Sequence, residues 1–165
     1  VIRVEVLGEP RPKGSLKAIP RPGGKGVWMK ESAGEGLRTW REQLSAAFQA
    51  AAEGLDEPLA GPVAVFCHFR LSPPKTRRFA WPIAKNRNDL DKLERGVLDH
   101  LSGVILVDDA QVVLLVATKV YGRPGATVVI EEVSHGNGTR VDLGTLTLEA
   151  SNALLGGEAE AISTR

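Results

Sequence analysis

A chain of 165 residues, 42% hydrophobic and 25% charged, has the size and make-up of one ordinary globular domain, able to bury a core without disulfides or structural zinc. No apolar run reaches the length of a bilayer span, and the start VIRVEVLGEP has no basic region followed by an apolar one, so neither a membrane protein nor a secreted one is expected and the cytoplasm is the default. The net charge of +1 hides a division, with residues 1–130 carrying +5 and residues 131–165 carrying −4. The sole cysteine, Cys67, can build neither an internal disulfide nor a thiolate metal site.

Ile2, Val4 and Val6 alternate with Arg3 and Glu5, which predicts a first strand. From Pro10 to Lys30 the chain is rich in Pro, Gly and Lys, and Gly23-Gly24 with Gly26 predicts a long mobile loop. Within it Trp28 either anchors the loop or, with Lys30, closes it over a site. Ser32 and Glu35 have the spacing of a capping box, and Leu37, Trp40, Leu44, Phe48 and Ala51 recur at helical spacing up to about Glu53. Trp40 and Phe48 are expected in the core.

Residues 54–61 read as a turn and residues 63–71 as a second strand. Ser72 to Asn88 is basic, proline-containing and aperiodic, hence a loop. Leu90, Leu93, Val97 and Leu101 mark a second helix ending near Ser102, with Gly103 as its stop. Residues 112–120 and 126–133, joined by Tyr-Gly-Arg-Pro-Gly, predict an antiparallel hairpin. The expectation is an α+β fold, a small mixed sheet of about four strands packed against two main helices, over residues 1–133. Residues 134–165 are expected to be an acidic, mobile tail with at most one short strand.

Cations cluster twice, from Arg11 to Arg41 and from Arg70 to Arg95. Such stretches can track phosphates, although solvated basic loops have the same composition. Lys13, Lys17, Lys75, Arg77 and Arg78 are the candidates for gripping DNA arms, with Phe79 or Trp81 as a wedge at a branch.

The acids carry the chemistry. Asp89 and Asp91 fall where the basic loop becomes the helix, and two carboxylates at this spacing converge at a helix start rather than inside it. Asp108-Asp109, flanked by apolar residues, offers a third ligand to complete an oxygen site for magnesium, its partner being either a group that supports the ligands from behind or a capping group. Lys92 directly follows Asp91, and Arg95 lies one turn on, so the rim is basic as hydrolysis of a polyanion requires. The plainer reading stays open at each position: Asp89 and Asp91 as helix-capping acids, and Asp108-Asp109 as a polar turn. His68 and His100 lack a second His at metal spacing and read as structural, and Asp99 as a local salt-bridge partner.

NDLDKLERGVLDHLSGVILVDDAQVV resembles the core signature of the RusA family of Holliday junction resolvases, a D-L-D-x-L helix followed by an L-x-D-D-A-Q-V-type segment leading into a strand. The resemblance is specific over about residues 60–121, general over the first loop and helix, and has no counterpart after Val133. It implies a homodimer that cuts branched DNA, a four-way junction, using magnesium, with manganese as a substitute. It puts Asp89, Asp91 and Asp109 at the family's metal-binding positions, with Asp108 as the accompanying acid. Where the family often has a catalytic lysine this chain has Arg95, a poor proton donor, so Arg95 acts electrostatically or Lys92 takes part of the role. The competing expectation is a protein that binds branched or single-stranded DNA without cutting it.

Overall fold

The computed structural model describes residues 1–13, 16–31, 34–76, 78–83 and 88–133, with backbone alone at 16, 17 and 29–31. The elements in chain order are β1 (Ile2–Leu7), β2 (Leu16–Pro20), β3 (Val27–Glu31), α1 (Glu35–Ala52), β4 (Val63–Leu71), α2 (Leu90–Leu101), β5 (Val112–Tyr121) and β6 (Gly125–Glu132). The fold is α+β, a mixed four-stranded sheet in the order β1-β6-β4-β5 with two helices on one face. Among the described residues no helix is long and apolar enough to cross a membrane.

Periodicity explains the core. α1 buries Leu37, Trp40, Leu44 and Phe48, and α2 buries Leu93, Val97 and Leu101, each set a single stripe at helical spacing. Val4 and Val6 of β1 and Val65, Cys67 and Phe69 of β4 meet those stripes from the sheet. A side chain such as Leu44, fully buried here, is worth about 1.5–3 kcal/mol by its transfer from water, and its truncation to Ala about 2–5 kcal/mol. α2 stops at Ser102, and Gly103 follows in the left-handed region at φ 73°, as the glycine there predicts.

Three expectations fail, each for a physical reason. The first is the hairpin of the last two strands. β4 lies between them, parallel to β5 and antiparallel to β6, so residues 122–124 cross the end of β4, where the Gly122 amide donates to the Leu71 carbonyl at 3.0 Å. A strand apolar on both faces, as β4 is, belongs in the interior of a sheet and needs a partner on each edge. The turn residues ensure only that the chain reverses. Gly125 is required where β6 begins, since a Cβ there would lie 2.6 Å from the Val6 carbonyl oxygen.

The second is the long loop. Residues 16–31 form an antiparallel ribbon of their own, β2 with β3, from Leu16↔Glu31 to Pro20↔Val27. Gly23, Gly24 and Gly26, all at positive φ, shape its turn rather than abolish structure around it. Third, α1 starts at Glu35 with Gly34 as its N-cap and no side-chain cap bond. The capping box proposed for Ser32 and Glu35 is therefore displaced, and Ser32 itself lies outside the described residues, as does the whole of the segment 134–165.

Candidate functional site

β4, α2 and β5 form a crossover unit in which two parallel strands end on the same side as α2 begins. Ligands of open sheets sit outside the carboxyl ends of such strands. A cleft of about 900 Å³ opens there, lined among others by Glu9, Arg11, Ser72, Lys75, Asn88 and Tyr121. One wall is held by Glu9, whose carboxylate accepts from the Ser72 hydroxyl at 2.5 Å and from the Ser72 amide.

The chain enters α2 through a constrained residue. Asn88 has φ 56°, the left-handed region that Asn tolerates better than most side chains, and its carbonyl accepts a 2.9 Å hydrogen bond from Lys119 Nζ on β5. Asp89 follows as the N-cap of α2, yet its side chain makes no cap bond. Its backbone carbonyl takes the Lys92 and Leu93 amides, while its carboxylate turns to Lys92 Nζ at 2.6 Å. Side-chain capping, the plain reading of this acid, is not what Asp89 does.

The Lys92 hydrogen bond, then the Lys92 charge, and more weakly the Lys119 charge hold the Asp89 carboxyl below the usual range. The same bond and charge, with help from Asp91, raise the Lys92 ammonium. Asp91 and Arg95, one turn apart on the exposed side of α2, make no side-chain hydrogen bond or ion pair with a described residue. Glu94, three residues after Asp91, is half-buried: partial burial and then the Asp91 charge push its carboxyl up. Below it Cys67 is buried, and burial, with the Glu94 charge second, drives its thiol far above the ordinary range.

The second acid pair lies elsewhere. Asp108 caps a short 3-10 turn, Asp109–Gln111, accepting from the Ala110 amide at 2.8 Å while the Asp108 amide donates to the Gln111 side-chain oxygen. Gln111 also donates to the Leu59 and Gly61 carbonyls, which locks the turn to the start of β4. Asp109 is exposed, without a side-chain partner among the described residues. So Asp108 is the capping member, and Asp109 is the open one.

That turn sits at the far end of α2 from Asp89. The 12 residues of α2 span about 18 Å. Along β5, Val112 beside the turn and Lys119 beside Asn88 are about 23 Å apart. One chain therefore does not bring Asp109 to Asp89 and Asp91, contrary to the expected two-part cluster. Among the described residues no group of three or more His, Cys, Asp or Glu side chains converges as a metal site.

Of the DNA-gripping candidates, Lys75 and Arg78 are exposed, with Lys75 on the cleft. Lys13 is paired with Asp99 at 2.5 Å, so that acid does form a salt bridge, but with a cation distant in sequence rather than the local one expected. Lys17 lies on β2, its side chain outside the described residues, and Arg77 is outside them altogether. His68 bonds to Thr118 and His100 to the Gly96 carbonyl, both structural. Glu94 was legible as the i+3 neighbour of Asp91. Lys119 was not, because its position depends on the parallel β4–β5 pairing.

The class this defines is a small α+β protein whose crossover unit carries exposed carboxylates beside cations. The family model of endodeoxyribonuclease RusA matches residues 8–131, well beyond the 60–121 stretch that carries the motif. The chain belongs to the RusA endodeoxyribonuclease family. No curated protein matches it.

Proposed function

We propose that this chain is a magnesium-dependent endonuclease that cuts four-way or similarly branched DNA, with Asp89 and Asp91 as its central acids. The observation carrying this reading is that Asp89 occupies a helix N-cap without using its carboxylate as a cap, while Asp91 beside it is left open. The donor set fits magnesium: all oxygen, exposed so that waters can fill the remaining positions, and with Asp89 kept ionised. Manganese would satisfy the same ligands. A divalent ion held by Asp89 and Asp91 would supply Lewis-acid charge to the reacting phosphate.

The chain's own residues do the rest. Lys119 fixes the Asn88 carbonyl and so the direction in which Asp89 leaves the loop. Lys92 orients the Asp89 carboxylate, and Arg95, without an acid partner among the described residues, meets negative charge growing on the phosphate. Arg95 serves electrostatically, since a guanidinium does not give up its proton at neutral pH. Arg11 and Lys75 on the cleft, with Arg78 nearby in the same loop, bind the backbone of the DNA arms, and exposed Trp81 or Phe79 wedges the branch.

The distance to Asp109 favours a homodimer in which a second copy brings its Asp109 to the first copy's Asp89 and Asp91. Two matched sites related by a twofold axis suit two cuts in a symmetric junction. The test is strand nicking of a labelled synthetic four-way junction with magnesium. Asp91→Asn is expected to lower the rate at least about 1,000-fold while junction binding persists. Full activity of Asp91→Asn would remove the site.

A further inference from the structure

The β2–β3 ribbon stands apart from the main sheet, and an isolated two-stranded ribbon is marginally stable in water. Its composition is one-sided. Residues 16–31 include Lys17, Arg21, Lys25 and Lys30 against one acid, Glu31. It also exposes apolar surface that a solvated turn does not need: Trp28 is 53% exposed, Val27 54% and Ile19 39%. Ile19 and Trp28 are cross-strand partners, so their side chains share one face of the ribbon.

The ribbon is rooted next to the candidate site. The Lys13 amide donates to the Lys92 carbonyl at 3.1 Å, and the Lys13 ammonium pairs with Asp99, so this segment is docked along α2. β2 begins three residues later, at most about 11 Å away at full extension. The foot of the ribbon is therefore held near α2, the helix that carries Asp91.

A protein partner fits this surface poorly, because protein interfaces are depleted in charge at their core, and the ribbon that carries the apolar pair holds four cations against one acid. A polyanion carrying flat apolar faces fits well. The indole needs an uncovered base face, which a continuous duplex hides within its stack and a branch point exposes.

We propose that the β2–β3 ribbon is a DNA-binding arm in which Trp28 stacks on a base face left unstacked at a branch, with Arg21 and Lys25 on the flanking phosphates. This rests on the reading of the chain as an endonuclease for branched DNA and assigns the contact that recognises the branch.

The experiment uses the full chain with Trp81→Phe, which leaves Trp28 as the exposed indole, Trp40 being buried. Tryptophan emission is titrated in EDTA with a four-way junction and with a linear duplex of the same sequence. Stacking predicts quenching by the junction and little by the duplex. Trp28→Ala in that background should remove the quenching and weaken junction binding at least about fivefold, and Trp28→Tyr should retain most of the affinity. Arg21→Gln with Lys25→Gln should flatten the dependence of log K on log salt by roughly 1.4–1.8.

Unchanged Trp40 emission and far-ultraviolet dichroism identify variants that have kept the fold. Equal quenching by duplex and junction, no quenching at all, or full affinity of Trp28→Ala overturns the arm. So does a loss of dimer on Trp28→Ala with DNA affinity intact, which would give the surface to a second copy. Nicking by the unsubstituted protein is measured alongside: nicking without a Trp28 effect refutes the arm alone, whereas a chain that never nicks refutes the reading beneath it.

Discussion

Two groups of charges on this molecule behave in opposite ways. On the face of the sheet away from α1 and α2, Arg70 donates to Thr127 at 2.7 Å and to Glu5 at 3.0 Å, Thr127 donates to Glu5 at 2.7 Å, and Arg3 completes the set at 2.9 Å. At the start of α2, Asp91 and Arg95 have no described partner and Asp89 has only the flexible Lys92. The first group is closed on itself and joins β1, β6 and β4. The second is left open toward solvent, as the proposed substrate site requires. Arg70, counted from sequence among the phosphate-tracking cations, thus belongs to the framework. Charge density along a chain does not distinguish cations that hold the fold from cations that await a ligand.

The sharpest way to break this contrast is to mix subunits. If Asp109 of one copy completes the site of another, inactive Asp91→Asn and inactive Asp109→Asn chains, refolded together, should regain one working site per mixed dimer and nick a single strand of the junction. Recovery should rise from background to roughly a quarter of normal total nicking, the share left when half the dimers are mixed and each has one of two sites. No recovery at any mixing ratio would mean that Asp109 does not act across the dimer.

A smaller effect is expected at the closed group. Arg70→Leu should lower unfolding stability by about 1–2 kcal/mol, the loss moderated because Glu5 is partly solvated, with nicking per folded molecule unchanged. Urea denaturation followed by dichroism measures the first and the junction assay the second. Burial alone would raise Glu5, but bonds from Thr127, Arg3 and Arg70 outweigh it and leave the carboxyl below its ordinary value of 4.5. Its stabilising contribution is therefore complete above pH 4.5 and lost as pH falls through the lowered value, and Arg70→Leu should flatten that loss.

The smallest effect concerns Glu94, whose carboxyl is raised above 4.5 by burial and by Asp91. A raised acid disfavours the folded state increasingly as pH climbs from 4.5 through the folded value, and not below it. Glu94→Gln should accordingly stabilise the protein at pH 7, within about 0.5 kcal/mol, and have no effect at pH 4. Denaturation midpoints at the two pH values decide it, and a gain at pH 4 alone would reverse the sign.

Element identity was largely legible beforehand. The stripe Leu37, Trp40, Leu44, Phe48 and the stripe Leu93, Val97, Leu101 are buried as their spacing requires, and β4 runs where its apolar residues do. The ribbon was missed because five-residue strands such as Leu16–Pro20 are too short to show a period, and the glycines between them read as loop. Asp89 could be placed at the start of a helix, but not the turning of its carboxylate from the cap to Lys92, which is a choice among rotamers.

Sequence alone determined the two helices, the strands of the main sheet and the acids at the start of α2, because periodicity and helix signals are carried by residues a few positions apart. Tertiary structure decided which strands are neighbours, that Lys119 reaches Asn88, that Arg70 closes on Glu5, and that Asp109 stands about 20 Å from Asp89. Those follow from burying both faces and satisfying both edges of β4, a requirement on the whole sheet that no local stretch of residues expresses.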